Sequence, residues 1–176
     1  MLNEAEKLLI ADWKGKNVLK DVSADLEQEG VILVCCSDGH RFGEMFCHLQ
    51  NFTENIHALA LNGGALGMGF PIKFFFRKRA LRRNIQEAVD MKGWRHIVVS
   101  SHWPCGIATS NKLTLPEVLK RTVNASNYIK TRIRGENIEV FPHLHVDFRI
   151  LPEKEKGNQR TYEICHHRIK ELALAY

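Results

Sequence analysis

Apolar residues gather in three short segments, of which the first is uninterrupted, and each is followed by a longer segment with helical periodicity. The runs cover residues 31–36, 56–61 and 95–101. Apolar runs of this length are typical of strands that are buried on both faces. We therefore predict three buried strands of a mainly parallel sheet.

Four segments have the amphipathic pattern of helices. Residues 1–30 fit one or two N-terminal helices, and residues 41–51 carry apolar side chains at helical spacing. A third helix is predicted at 77–91. The fourth begins at Thr114, a good N-cap with proline close behind it, and runs to Gly135.

The last part of the chain predicts a hairpin, because residues 138–150 and 160–169 flank a polar turn. Buried runs that alternate with helices indicate an α/β fold, with a mainly parallel sheet that helices flank on both faces. A chain of 176 residues is near the size of one domain. We predict a single domain over 1–176.

Reactive side chains stand at the ends of the first and third predicted strands. Cys36 and Asp38 end the first, and His102 and Cys105 follow the third. The carboxyl ends of parallel strands lie at one edge of a sheet, where ligand sites form, so the two clusters are expected to meet. The alternative is that these cysteines are small apolar core residues beside an ordinary Asp-Gly turn.

Thiolate and imidazole are the ligands that zinc prefers, and three protein ligands with an open fourth position define a catalytic site. Cys36, His102 and Cys105 could supply the three. Asp38 is close enough in sequence to be a fourth ligand, or to accept a hydrogen bond from zinc-bound water. The sequence therefore predicts a Zn²⁺ site at this edge.

Composition and the apolar pattern indicate the cellular compartment. The chain is 44% hydrophobic and 26% charged, and its five cysteines are unevenly spaced, unlike a disulfide framework. Its first residues mix acidic with apolar side chains, which a secretory signal does not, and no run reaches the ~18 apolar residues of a membrane span. We expect a cytoplasmic protein without a membrane partner.

Charge is unevenly distributed along the chain. Residues 1–30 hold four Lys and seven Asp/Glu, whereas residues 73–95 hold eight Lys/Arg and two Asp/Glu. The basic stretch 77–83 could bind a phosphate backbone, with the preceding phenylalanines for stacking. No nucleic-acid motif accompanies it, so we favour a solvated helix face or a subunit contact.

Two short motifs resemble those of the beta-class carbonic anhydrases: "CSDGH" at 36–40 and "HWPCG" at 102–106. The resemblance covers roughly residues 25–165, and these motifs are its specific parts. It implies that Cys36, His102 and Cys105 are the zinc ligands. It implies that Asp38 either orients the zinc-bound water or itself takes the fourth position. It also implies a homodimer that hydrates carbon dioxide to bicarbonate.

The chain departs from that family where an arginine should pair with Asp38. His40 stands at the arginine's position, and Arg41 comes one place later. Either the arginine is replaced, or one residue is inserted and Arg41 still reaches Asp38; we lean towards insertion. His40 is a candidate proton shuttle or an ordinary loop histidine.

Several other interpretations stay open. A non-catalytic zinc protein, an enzyme acting on carbonyl sulfide or carbon disulfide, and a nucleic-acid binder are the alternatives to carbon dioxide hydration. His143 and His145 alternate along one predicted strand, a spacing that can bind a second metal but more often marks a half-exposed strand face.

Overall fold

A computed structural model gives the chain a mixed sheet with helices on both faces. The structure describes residues 2–22, 30–69, 75–148, 159–165 and 168. Its strands are β1 (Leu19–Asp21), β2 (Val31–Cys36), β3 (Ile56–Leu61), β4 (His96–Trp103), β5 (Glu139–Asp147) and β6 (Gln159–Ile164). Its helices are α1 (Glu4–Gly15), α2 (Gly39–Gln50), α3 (Gly64–Gly69), α4 (Phe75–Lys92), α5 (Gly106–Ser110) and α6 (Leu115–Arg132).

The strand order is β1-β6-β5-β4-β2-β3. The four strands from β5 to β3 run parallel to one another, and β6 pairs antiparallel with both β5 and β1. The predicted α/β class, the mainly parallel sheet and the antiparallel C-terminal pair are therefore confirmed. The first and third predicted strands, β2 and β4, are direct neighbours.

Alternation along the buried strands sends side chains to two cores. Ile32 and Val34 of β2 pack with residues of α4 and α6. Val31 and Leu33 of the same strand pack with α2 on the other face. Helices α1, α5 and α6 cover the β4–β6 part of the first face. Every residue of β2 is buried, as its uninterrupted apolar run predicts.

The long helix α6 starts where its sequence indicates. Thr114 is the N-cap, and its backbone N–H donates to the Glu117 carboxylate at 2.8 Å in a capping box. The same hydrogen bonds lower the pKa of Glu117. These local contacts fix the helix start independently of the rest of the fold.

Two elements differ from expectation. The N-terminal segment forms one described helix and then strand β1, because Asn17 adopts a positive φ of 56° that ends α1. β1 gains its hydrogen bonds from β6, a partner distant in sequence. The glycine-rich turn after β3 also contains α3. Residues 23–29 of the predicted N-terminal helices lie outside the described part.

None of the helices in the described ranges combines the length and the apolar composition that crossing a membrane requires.

Candidate metal centre

Three side chains converge at the carboxyl edge of the sheet. Cys36 is the last residue of β2, His102 lies near the end of β4, and Cys105 is the N-cap of α5. All three are buried, and their ligand atoms lie within 4.8 Å of one another. Because β2 and β4 are adjacent parallel strands, the sheet brings these residues together as the sequence predicts.

The imidazole of His102 is oriented by one hydrogen bond. Its Nδ1 lies 2.8 Å from the Pro104 carbonyl oxygen, so Nδ1 carries the proton and donates. The buried Nε2 has no hydrogen-bond partner. A backbone carbonyl on one ring nitrogen and a free lone pair on the other is how proteins present a histidine to a metal. The donor set therefore fits a zinc ion.

The two thiols of the cluster are coupled by a hydrogen bond between them. A hydrogen bond from Cys105 is the main cause that lowers the pKa of Cys36, and the His102 side chain and the backbones of Asp38 and Gly63 act in the same direction. The bond to Cys36 and burial raise the pKa of Cys105. The two thiols thus share a hydrogen bond, and a cation that replaces its proton would receive two thiolates.

The turn after β3 supports Cys36. The Gly63 N–H donates to the Cys36 thiol at 3.3 Å. Gly64 has a φ of +43°, and a Cβ there would lie 2.3 Å from the Cys35 carbonyl carbon. Glycine is thus required for the turn to reach the end of β2. The signal for these supporting residues was two consecutive glycines after β3. This strand was predicted to be buried but is half-buried, because it lies at the edge of the sheet.

Asp38 stands beside the cluster but outside it. Its carboxylate is the N-cap of α2 and accepts a hydrogen bond from the His40 N–H at 3.1 Å. It does not belong to the group of ligand atoms within 4.8 Å, which comprises Cys36, His102 and Cys105 in the described ranges. Water orientation and fourth-ligand binding by Asp38 both stay predictions.

Arg41 does not make the Asp38 pair that the insertion hypothesis expects. Its Nη2 lies 2.5 Å from Asp147 Oδ2, and its Nε and Nη1 are buried without a hydrogen-bond partner. Asp147 is 5% exposed and ends β5 on the face that α2 covers. The position of α2 over β5 therefore gives Arg41 a different carboxylate.

His40 lies in the first turn of α2, and its side chain is exposed to solvent. A solvent-exposed imidazole near the site suits proton exchange, but the contacts described between residues of known position include none from the His40 side chain to the cluster. A shuttle role for His40 stays a prediction.

His143 and His145 share one face of β5, as predicted, but both are buried rather than half-exposed. His145 Nδ1 lies 3.0 Å from Thr161 Oγ1 on β6. Neither belongs to a metal-binding group among the residues with described positions. Burial and the neighbouring His48 lower the pKa of His143 to about 3.

The basic segment 77–83 lies in the first half of α4, so the predicted helix is confirmed. Arg83 pairs with Glu87 one turn later at 3.0 Å. Lys78 lies 3.9 Å above the Tyr128 ring of α6. The segment is thus partly a solvated face and partly a contact between helices.

Comparison with known proteins gives one structural similarity. No family model matches the chain, and no curated protein matches it. Among solved structures, a beta-carbonic anhydrase isoform I from the protozoan Trichomonas vaginalis matches with a TM-score of 0.48 and 11% identity, over 93% of this chain and 99% of that one. A similarity at this level says nothing about what the chain does.

Proposed function

We propose that the chain is a zinc-dependent, carbonic anhydrase-like lyase that hydrates carbon dioxide to bicarbonate. The observation that carries the proposal is the buried cluster of Cys36, His102 and Cys105, whose ligand atoms lie within 4.8 Å of one another. The motifs around these residues resemble those of beta-class carbonic anhydrases, which is the reason for choosing this reaction over other zinc chemistry.

Each residue has a defined task in the proposal. Cys36, His102 and Cys105 would hold the ion as its three protein ligands. Zinc in such a site supplies a Lewis acid and makes water a nucleophile near neutral pH. Asp38 accepts a proton at its carboxylate at the mouth of the site, and the exposed His40 exchanges protons with solvent.

The proposal includes a reducing compartment and a small-molecule substrate. All five cysteines are free in the structure, which suits a cytoplasmic setting. We also propose that two copies associate, as the family resemblance implies. Sedimentation of the purified protein would test that association independently of activity.

The metal assignment is tested by zinc content. Cys36→Ser, His102→Ala and Cys105→Ser should each lose most of the zinc, because each removes one of three ligands. Cys47 is a free, exposed cysteine on α2, so Cys47→Ser is the matched control and should keep it. Full zinc content in Cys105→Ser would contradict the ligand set.

The reaction is tested by stopped-flow hydration of carbon dioxide in fully metallated protein. We expect zinc-dependent turnover between about pH 7 and pH 9. Asp38→Ala should lower it by roughly 10²-fold, the usual effect of losing an acid–base group. Absence of turnover in this range would exclude the reaction while leaving the metal site intact, and carbonyl sulfide and carbon disulfide would be the next substrates.

One observation favours a second candidate, a closed zinc protein without catalysis. Arg41 is bound to Asp147, so Arg41 does not hold Asp38 away from the metal. In this alternative Asp38 rotates from its capping position and takes the fourth position. Both the Asp38→Ala variant and the chain with Asp38 are loaded with Co²⁺ in place of zinc. Azide should then change the visible spectrum of the variant, whose fourth position is free, but not that of the chain with Asp38. An equal response in both would exclude the closed site.

A further inference from the structure

A cavity of about 200 Å³ lies between the end of β3 and helices α3 and α4. Its lining residues among those described are Leu61, Asn62, Gly64, Gly67, Met68, Arg77, Lys78 and Leu81. None of the metal-cluster residues is in this lining. The cavity nevertheless adjoins the metal cluster, because the Gly63 N–H bonds to Cys36 while the two neighbours of Gly63 line the cavity.

Apolar side chains form most of the cavity wall. Met68 and Leu81 are 1% and 2% exposed, and Leu61 is the apolar lining residue that solvent reaches most. Gly64 and Gly67 add backbone without a side chain. The surface of the cavity is almost wholly apolar as a result.

The polar lining residues have partners of their own. The Lys78 ammonium lies 3.9 Å from the centre of the Tyr128 ring, which is not in the lining, so Lys78 offers the cavity its methylene stem. Arg77 already has an interaction partner. The Asn62 amide oxygen accepts a hydrogen bond from the Ser37 hydroxyl at 2.9 Å. These contacts agree with the apolar wall and argue against a charged ligand.

The chemistry and the size of the cavity together define the ligand. A water molecule needs two or more polar partners, which an apolar wall does not give it, so such cavities take up apolar molecules instead. A dry cavity of about 150 Å³ is large enough to bind benzene. A volume of about 200 Å³ therefore accommodates one aromatic ring with a small substituent.

Gly67 gives experimental access to this space. A Cβ built on Gly67 meets nothing within 4 Å, so a larger side chain at this position has room to enter the cavity. Gly43 of α2 also has nothing within 4 Å of its Cβ, and it is not in the lining. The two glycines thus form a matched pair for substitution.

We propose that this cavity binds a small neutral apolar molecule, of the size of one substituted aromatic ring, against Leu61, Met68 and Leu81. The inference rests on the wall of the cavity and does not depend on the proposed reaction.

The probe is toluene, titrated calorimetrically into the full-length protein. A ligand of this size can reach a dissociation constant on the order of 1 mM. We expect one toluene per chain at this affinity. Benzoate should bind at least about tenfold more weakly, because its carboxylate would lose hydration at an apolar wall. The absence of toluene binding, or equal or tighter binding of benzoate, would overturn the proposal.

Matched variants locate the binding. Gly67→Leu should fill the cavity and abolish toluene binding, whereas Gly43→Leu should bind toluene as the unsubstituted chain does. The circular dichroism of both variants should match that of the unsubstituted chain. Undiminished binding in Gly67→Leu, or an equal loss in Gly43→Leu, would show that toluene binds elsewhere.

A second variant tests the same wall by enlarging the cavity. Leu81→Ala removes a buried side chain from the lining. It should raise the affinity for n-propylbenzene relative to that for toluene, because the larger ligand gains the space. An unchanged preference between the two ligands would contradict binding against Leu81.

Discussion

Acid should destabilise the fold through His143, which is 1% exposed and whose Nε2 has no hydrogen-bond partner. Burial, and next the charge of His48, lower its pKa from 6.5 to about 3. Above pH 6.5 the side chain is neutral in both the folded and the unfolded chain and has no effect on stability. Below that pH the unfolded chain binds a proton that the folded chain does not, so stability falls as the pH falls.

The size of the effect follows from the two pKa values. Between them, each pH unit lowers the free energy of unfolding by up to about 1.4 kcal/mol. From pH 6.5 to pH 4.5 this amounts to about 2 kcal/mol, a large part of the roughly 5–15 kcal/mol that stabilises a domain. Burial also lowers the pKa of His48, which adds a contribution of the same sign.

The measurement is urea unfolding of the unsubstituted chain and of His143→Leu at both pH values, followed by tryptophan fluorescence. The variant loses the titrating group, so its stability relative to the unsubstituted chain should rise by about 2 kcal/mol on acidification. His40→Gln removes an exposed histidine and should keep the original pH dependence. A stability difference for His143→Leu that is the same at both pH values would refute the reasoning.

Three further predictions concern the residues that position the metal cluster and the stability of the fold around it. Gly64→Ala should destabilise the fold by about 2 kcal/mol or more in urea unfolding, because its Cβ would lie 2.3 Å from the Cys35 carbonyl carbon. Gly67→Ala, in the same helix with open space, should be neutral or stabilising, and equal effects would contradict the turn geometry. Asp147→Asn should lower the free energy of unfolding by about 3–5 kcal/mol, because it leaves Arg41 buried without its carboxylate. The double variant Arg41→Met/Asp147→Leu should recover part of this loss in the same assay. No recovery would mean that the pair is not coupled. Removal of the proposed zinc by a chelator should lower the midpoint of thermal unfolding, since its proposed ligands come from two strands and a helix start. An unchanged midpoint would mean that no metal joins these elements.

The sequence determined the buried strands and the place where the reactive residues collect. The run 31–36 is apolar throughout and became the fully buried β2. A strand buried on both faces needs such a run whatever its neighbours are, so the pattern is local. Parallel strands end at a common edge, which is why Cys36, His102 and Cys105 could be expected together before any coordinates. The capping box at Thr114 is likewise local, because it involves only four consecutive residues.

Other features needed the tertiary structure. Arg41 pairs with Asp147 rather than with Asp38. The short strand β1 forms because its backbone hydrogen-bonds to β6. Which nitrogen of His102 faces the cluster depends on the Pro104 carbonyl. In each case the partner depends on which helices and strands lie next to each other in the folded chain. Hydrophobic periodicity contains no information about that arrangement. A strand's burial is a property of its own side chains, whereas the partner of a charge depends on the packing of the whole chain.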